Sequence, residues 1–338
     1  MKVNVAINGF GRIGRLILRI IKDHPNFNLV AINDLSTAED LAYLLKYDSV
    51  HRRYKTNKIR GEGNNIIIDD QEIKVFSKRN PLNLPWKELD IDLVFECSGV
   101  FTSKEKASFH LQAGAKKVLV SAPAGKDVKT IVYGVNHQTL TGEEEIISAA
   151  SCTTNCLAPV LKVIDEALGI KKGFMTTVHA YTNDQATLDV PHQKGIYARR
   201  GRTAASNIVP TSTGAAGAIG LVIPNLEGKL EGMALRVPVP DGSAIDLVLE
   251  VTKKTSKEEI NALFKEKQNE VLVYSEEPLV SSDVIGTFCG ALVDGLSTNV
   301  LTVNNEQLIK VLAWYDNEMG YSVQMVRTAL YLLKLNKR

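Results

Sequence analysis

The stretch Lys2-Val3-Asn4-Val5-Ala6-Ile7-Asn8-Gly9-Phe10-Gly11-Arg12-Ile13-Gly14 decides how the first half of this chain folds. Val3, Val5 and Ile7 recur at every second position, which puts them on one face of a β-strand. The strand runs straight into a G-x-G-x-x-G pattern at Gly9, Gly11 and Gly14, and Leu16, Ile17, Ile20 and Ile21 then mark the apolar face of a helix. Alone, such glycines are weak evidence. Between a strand and a helix they are the fingerprint of a dinucleotide site. They permit the tight turn and the close approach of a pyrophosphate, whose charge rests on the helix N-terminus. A second strand, Leu29-Val30-Ala31-Ile32, ends in Asn33-Asp34, and Asp34 follows Gly14 by twenty residues. At that spacing a carboxylate accepts hydrogen bonds from the adenosine ribose hydroxyls and repels a 2′-phosphate, so NAD is expected over NADP. A lone aspartate at a strand end is ordinarily a turn residue; the fingerprint before it carries the ribose reading.

Further along, Ile66-Ile67-Ile68 and Ile73-Lys74-Val75 flank Asp69-Asp70-Gln71-Glu72 as a hairpin. Leu93-Val94-Phe95-Glu96-Cys97 and Val118-Leu119-Val120 are short apolar runs of the kind found in buried parallel strands. Ser98-Gly99 and Ser121-Ala122 follow them at the carboxyl edge, where open α/β sheets bind ligands. Cys97 reads as a core residue.

A second decisive stretch is Ser151-Cys152-Thr153-Thr154-Asn155-Cys156. Ile146–Ala149 reads as a strand before it, and Leu157, Val160, Leu161, Ile164 and Leu168 recur at helical spacing after it, up to a stop at Gly169. Cys152 therefore opens a helix, where the dipole and unpaired N–H groups lower a thiol pKa from about 8.5 to roughly 3.5–7.5. Most cysteines are simply buried, but the polar turn argues for access. A reactive thiol needs a base, and His179, at the end of the strand Phe174–Val178, is the candidate; the other histidines considered (His24, His51, His110, His137) stand in polar or loop-like contexts. Residues 182–214 are irregular and carry Lys194, Arg199, Arg200 and Arg202. Such a cluster is either a solvated face or, with Thr211, Ser212, Thr213 and the N–H of Gly214, an anion site. Strands are expected at Met233–Val239, Ala244–Val251, Val280–Ile285, Gly290–Asp294 and Leu308–Tyr315, with helices at Lys257–Gln268 and Tyr321–Leu335.

At 338 residues the chain calls for two domains. Forty Lys and Arg against 38 Asp and Glu leave a net charge of +2, which predicts no nucleic acid as a primary partner. Four cysteines without metal-ligand spacing suggest neither a disulfide framework nor a metal site. A reducing cytoplasm fits, and with no apolar run of about 18 residues no membrane segment is expected.

With these blocks in view the chain resembles the phosphorylating glyceraldehyde-3-phosphate dehydrogenase family along essentially its whole length. The resemblance rests on Asn8–Arg15, Leu44–Ser49, Ala150–Cys156, His179–Thr182 and Trp314–Glu318. It implies an α/β fold: a Rossmann-type dinucleotide-binding domain, residues 1–151 completed by 318–338, and an α+β catalytic domain, 152–317, with a large, mostly antiparallel sheet. It implies a homotetramer acting on glyceraldehyde 3-phosphate and inorganic phosphate. Cys152 is then the nucleophile and His179 its base; Arg12, Ile13, Asp34, Arg79, Ser121 and Asn317 bind NAD together with the glycine loop. Leu35 and Pro191 match the NAD-preferring members. Ser151, Thr153, Thr182, Arg200, Thr213, Gly214 and Arg236 hold the two phosphates. The competing enzyme reading is an erythrose-4-phosphate dehydrogenase, in which water resolves the thioester. A binding protein that merely kept the fold is disfavoured by the intact nucleophile, base and phosphate ligands.

The chain departs from the common pattern in four places: Arg52 stands where glycine is usual, and the loop His192–Arg202 is about two residues longer than usual. Asp241-Gly242-Ser243 replaces Asn-Val-Ser, and Met319 replaces Trp. The longer loop leaves the choice among Arg199, Arg200 and Arg202 open.

Overall fold

The computed structural model describes residues 2–193, 195 and 197–335, so Lys194 lies outside the described residues. The chain divides into two compact units, the first containing residues up to Tyr133, His137–Ser151 and the chain from Ser322 on, the second Gly134–Asn136 and Cys152–Tyr321.

The first unit is built on a nine-stranded sheet. Val3–Asn8 lies at its middle, with Phe27–Asn33 parallel on one side and Leu93–Glu96 parallel on the other. Chain order therefore reverses across this strand, which opens a crevice at the carboxyl ends on either side of it. Lys117–Val120, Ile146–Ser148 and Lys129–Thr130 extend the parallel part, and Gln71–Phe76 continues it beyond Phe27–Asn33. The hairpin read from the isoleucine runs is present: Asn65–Ile68 pairs antiparallel with Gln71–Phe76. Asp69 and Asp70, both at positive φ, make its two-residue turn. The helix Arg12–Ile21 buries Leu16, Ile17, Leu18 and Ile21. Arg52 has φ +64°, which explains why glycine is usual there: a side chain in this region is strained.

The second unit carries a seven-stranded, mostly antiparallel sheet. Within it Ile170–Ala180 pairs with Leu230–Val237 on one side and with the central strand, Ser243–Val251, on the other. Two expectations need correction. Val280–Ile285 is no strand: Ser281–Val284 forms a 3-10 turn capped by Asp283, whose Oδ2 accepts from the Val280 N–H at 2.8 Å. The strand paired there is instead Leu272–Ser275, and its partner Ala291–Val303 runs well beyond the expected Asp294. Val280–Ile285 carries Ser281, Ser282 and Asp283 between its apolar ends, and the Asp283 cap on the Val280 N–H turns the chain there.

Alternation along Ile170–Ala180 divides the functional from the structural. Met175, Thr177 and His179 are buried on the face against which the helix Cys152–Leu168 packs its neighbouring strands, while Phe174 and Val178 point the other way and are exposed. Met233 and Leu308 share that exposed face. Among the described residues, no helix is long and apolar enough to cross a membrane.

Candidate active site

In the first unit, a cavity of about 400 Å³ opens at the carboxyl ends of the central strands. Gly9, Gly11, Asp34, Arg79, Ser98 and Phe101 are among its lining residues. Each glycine has its own reason. Gly9 has φ +88°, and a Cβ there would stand 2.5 Å from the Ser98 backbone; one at Gly14 would collide with the Gly9 carbonyl. A Cβ at Gly11 would meet no protein atom within 4 Å, so what it would obstruct is the cavity itself. A pyrophosphate approaching the backbone needs that freedom. Asp34 is held by two backbone donors, Phe10 N–H on Oδ2 at 2.8 Å and Ser36 N–H on Oδ1 at 3.0 Å. Each oxygen keeps a lone pair for a ribose hydroxyl.

Below this cavity runs a buried polar chain that the sequence did not reveal. Asn33 Nδ2 donates to Asn8 Oδ1 at 2.7 Å, and Asn8 Nδ2 donates to Glu96 Oε2 at 2.5 Å. Trp86 Nε1–H donates to His110 Nδ1 at 3.0 Å, so the proton of His110 sits on Nε2 and is donated to Glu96 Oε2 at 2.9 Å. His110 is thus no loop residue: it is fully buried on the helix Lys104–Gln112. The network clamps three strand ends side by side. The other expected cofactor residues are placed less directly. Arg12 forms an ion pair with Asp48 at 2.7 Å, Ile13 is half-buried, and Ser121 bonds to the Cys97 thiol, which burial pushes well above its ordinary value.

In the second unit, Cys152 begins the helix Cys152–Leu168, two residues after Ala150 turns the backbone through φ +58°. Its Sγ lies 3.4 Å from His179 Nε2. His179 Nδ1 is 2.7 Å from the Ala180 carbonyl and 3.1 Å from Arg236 Nη1. One nitrogen cannot donate to the first and accept from the second. The shorter contact fixes Nδ1–H toward Ala180, and Arg236 Nη1 finds acceptors in Thr182 Oγ1 at 3.0 Å and the Ala180 carbonyl at 3.3 Å. That tautomer points the Nε2 lone pair at the thiol. Register explains the neighbours: His179 pairs with Arg236 and Tyr315 pairs with Ser243 across adjacent strands.

Burial and the Arg236 guanidinium lower His179 to about 3, so the imidazole is neutral at neutral pH and able to take a proton. The expected low thiol pKa is corrected here. Burial pushes Cys152 above its ordinary value, and Arg236 with the Thr153 hydroxyl and N–H offset only part of that rise. Helix-end donors were legible in the sequence; desolvation was not. The proton thus rests on sulfur, and Nε2 of the ring is able to accept one.

Tyr315, missed as a functional residue, holds this pair from below. Its buried hydroxyl bonds Thr153 Oγ1 at 2.9 Å and Thr177 Oγ1 at 2.8 Å, and its ring packs edge-on against His179. Thr153, expected at a phosphate, uses one site of its hydroxyl here. Thr182, Arg200 and Arg236 come together around Asp184, whereas Thr213 and Gly214 precede the short helix Ala215–Ala218, with Thr213 Oγ1 accepting from Ala215 N–H at 3.2 Å. Arg202 pairs with Asp189 at 3.1 Å and Arg199 is exposed, which leaves Arg200 as the arginine of the loop beside Thr182. Ser151 belongs to the first unit, and Asn317 to the second, where its Oδ1 accepts from Ser243 Oγ at 2.6 Å.

Two family models match this chain: the glyceraldehyde 3-phosphate dehydrogenase NAD binding domain over residues 3–104, and the C-terminal domain of the same family over residues 151–317. The chain belongs to the glyceraldehyde-3-phosphate dehydrogenase family. It is 55% identical over 333 residues to a glyceraldehyde-3-phosphate dehydrogenase of Clostridium acetobutylicum, covering 98% of this chain and 99% of that protein. With one from Streptococcus pyogenes serotype M1 it shares 51% identity over 338 residues, the whole of both chains. The family's NAD binding domain spans the glycine loop, Asp34 and Arg79, and NAD is the cofactor. Against the family pattern, Asp241 has a physical account. Burial, with Asp316 and Glu318 beside it, pushes its carboxyl up to about 9. That favours the neutral acid, an uncharged side chain like the usual asparagine. Gly242 at φ +83° is required, since a Cβ would collide with the Ser281 carbonyl.

Proposed function

We propose that this chain oxidises glyceraldehyde 3-phosphate to 1,3-bisphosphoglycerate with NAD and inorganic phosphate, through a covalent acyl group on Cys152. The observation that carries the reading is the 3.4 Å approach of Cys152 Sγ to a His179 Nε2 whose lone pair is aimed by the Ala180 carbonyl. Sγ adds to the aldehyde carbon as His179 Nε2 takes the thiol proton, giving a thiohemiacetal. The protonated ring hands that proton to the new alkoxide oxygen and takes it back as the hydride leaves. Bound NAD supplies the acceptor for the hydride that leaves this carbon. The thioester left on Cys152 is opened by inorganic phosphate, and sulfur departs as the acyl phosphate forms. Sulfur suits both steps, because the thioester carbonyl stays electrophilic.

In this reading residues 1–151 with 318–338 are the NAD-binding domain, and 152–317 the catalytic domain. Gly9, Gly11 and Gly14 with Arg12 and Ile13 receive the pyrophosphate, Asp34 the ribose, and Arg79 and Ser121 the rest of the nucleotide. Asn317, oriented by Ser243, is left with its amide N–H groups for the carboxamide of the nicotinamide. Arg200, Arg236 and Thr182 bind the substrate phosphate; Ser151, Thr153, Thr213 and Gly214 bind the attacking one. The exposed face carrying Phe174, Val178, Met233 and Leu308 supports assembly of the chain as a homotetramer, and the free thiols support a cytoplasmic location.

Stopped-flow absorbance of NADH with and without phosphate tests this. A burst without phosphate, then slow turnover that phosphate accelerates, is the expected outcome. Turnover indifferent to phosphate, and faster on erythrose 4-phosphate, would transfer the chain to the hydrolytic reading. With no burst on either aldehyde, the covalent mechanism is wrong.

A further inference from the structure

Asp184 plays no part in the chemistry above, yet it sits on the groups that receive the substrate phosphate. Its Oδ2 accepts from Arg200 Nη1 and its Oδ1 from Thr182 Oγ1. Thr182 Oγ1 in turn accepts from Arg236 Nη1 at 3.0 Å. The Asp184 side chain is 42% exposed and that of Arg200 17%, so the carboxylate covers the guanidinium from the solvent side. A guanidinium and a hydroxyl converging on two oxygens of one anion is the arrangement a phosphate group would demand.

We propose that Asp184 is an internal stand-in for the substrate phosphate, a specificity-setting residue whose carboxylate holds Arg200 and Thr182 in place until a phosphate dianion displaces it. The inference rests on the assignment of Arg200, Thr182 and Arg236 as phosphate ligands. Charge supports it. Arg200 lies close enough to Arg236 to disfavour its positive charge, and Asp184 relieves Arg236 of part of that repulsion. Burial alone would raise the Asp184 carboxyl, but Thr182, Arg200 and Arg236 hold it below its ordinary value, and it is ionised at neutral pH. Such a group keeps the ligands arranged in the free enzyme. It also makes every phosphorylated molecule compete with a resident anion, which weakens binding and speeds release.

Asp184→Asn tests this in the full-length enzyme, since the amide keeps an acceptor oxygen and the side-chain shape while dropping the charge. The expected result is that kcat/KM for glyceraldehyde 3-phosphate, divided by that for unphosphorylated glyceraldehyde, rises about tenfold, the size of one screened unit charge removed a few ångströms from a dianion. Because Asp184 also raises His179, the acid limb of the pH profile moves to lower pH in the variant. A ratio that stays level or falls overturns the proposal, a fall marking Asp184 as an aid to phosphate binding. Arg200→Ala separates this from failure of the underlying assignment. If it too leaves the ratio level, Arg200 is not a phosphate ligand. If it collapses the ratio while Asp184→Asn does not raise it, only the stand-in role is lost.

Discussion

In the first unit Asp34 stands half-exposed and bonded to two backbone N–H groups, whereas in the second His179 is 3% exposed and faces a guanidinium. One site keeps its charge hydrated and uses it for recognition. The other suppresses charge by desolvation and uses the suppressed groups for chemistry. A ribose hydroxyl needs a fixed acceptor, and water at the rim costs that contact little. Burial moves the thiol up and the imidazole down, so the proton stays on sulfur and the ring stays neutral until the sulfur is engaged.

The comparison is broken most severely at His179. His179→Asn removes the lone pair aimed at Sγ, and the burst rate is expected to fall by about 10²–10⁴. NAD affinity, followed by fluorescence titration, keeps its value, because Asp34 and the glycine loop lie in the other unit. Survival of the full burst would show that the thiol needs no base. The pH dependence sharpens the point. His179 is held at about 3 by burial and Arg236, below the unperturbed value, so its base form persists as pH falls through the range where an exposed histidine would protonate. The burst rate of the wild-type enzyme therefore carries no acid limb near 6.5 from this group. A limb there that vanishes in His179→Asn would mean the imidazole is charged.

The two sites were also unequally legible. Gly9, Gly11, Gly14 and Asp34 lie within one βαβ segment, and spacing alone was enough to bring Gly9, Gly11 and Asp34 to one cavity. Cys152, His179, Arg236 and Tyr315 span most of the second unit; sheet register places the last three, and the start of the helix Cys152–Leu168 brings the thiol to them. Chemistry suggested the pair Cys152 and His179; the alternation that turns His179 inward and Val178 outward explains it. Tyr315 could have been found from the same alternation, because Val311, Ala313 and Tyr315 are buried in step. Nothing local announces Glu96 and His110, whose roles depend on Asn8 and Trp86 meeting them from distant positions. The thiol pKa was misjudged for a related reason: helix ends are visible in a sequence, and the depth at which they are buried is not.

Recognition in the first unit has its own test. Asp34→Asn keeps an acceptor for one ribose hydroxyl but withdraws the charge that strengthens both hydrogen bonds. The Kd for NAD should rise about tenfold, the worth of one charge-assisted hydrogen bond. Affinity for NADP should fall less or rise, because repulsion of its 2′-phosphate goes with the charge. An equal loss for both cofactors would place the role of Asp34 in the turn it makes with Phe10 and Ser36.

The smallest effect separates backbone demands within the first unit. Gly9 and Arg52 both adopt positive φ, +88° and +64°, but only Gly9 is pressed against another segment, the Ser98 backbone. Arg52 contributes through its carbonyl, which accepts from Arg19 Nη2 at 3.2 Å, and a glycine would preserve that bond. Arg52→Gly removes the left-handed strain of an L-residue, roughly 1–2 kcal/mol, and returns part of it as entropy of the unfolded chain, roughly 0.5–1 kcal/mol. The net is stabilising by about 0.5 kcal/mol, visible as a rise of a degree or so in the thermal midpoint. A lower midpoint would show that the Arg52 side chain itself holds the turn after His51, with a contribution larger than the strain it imposes.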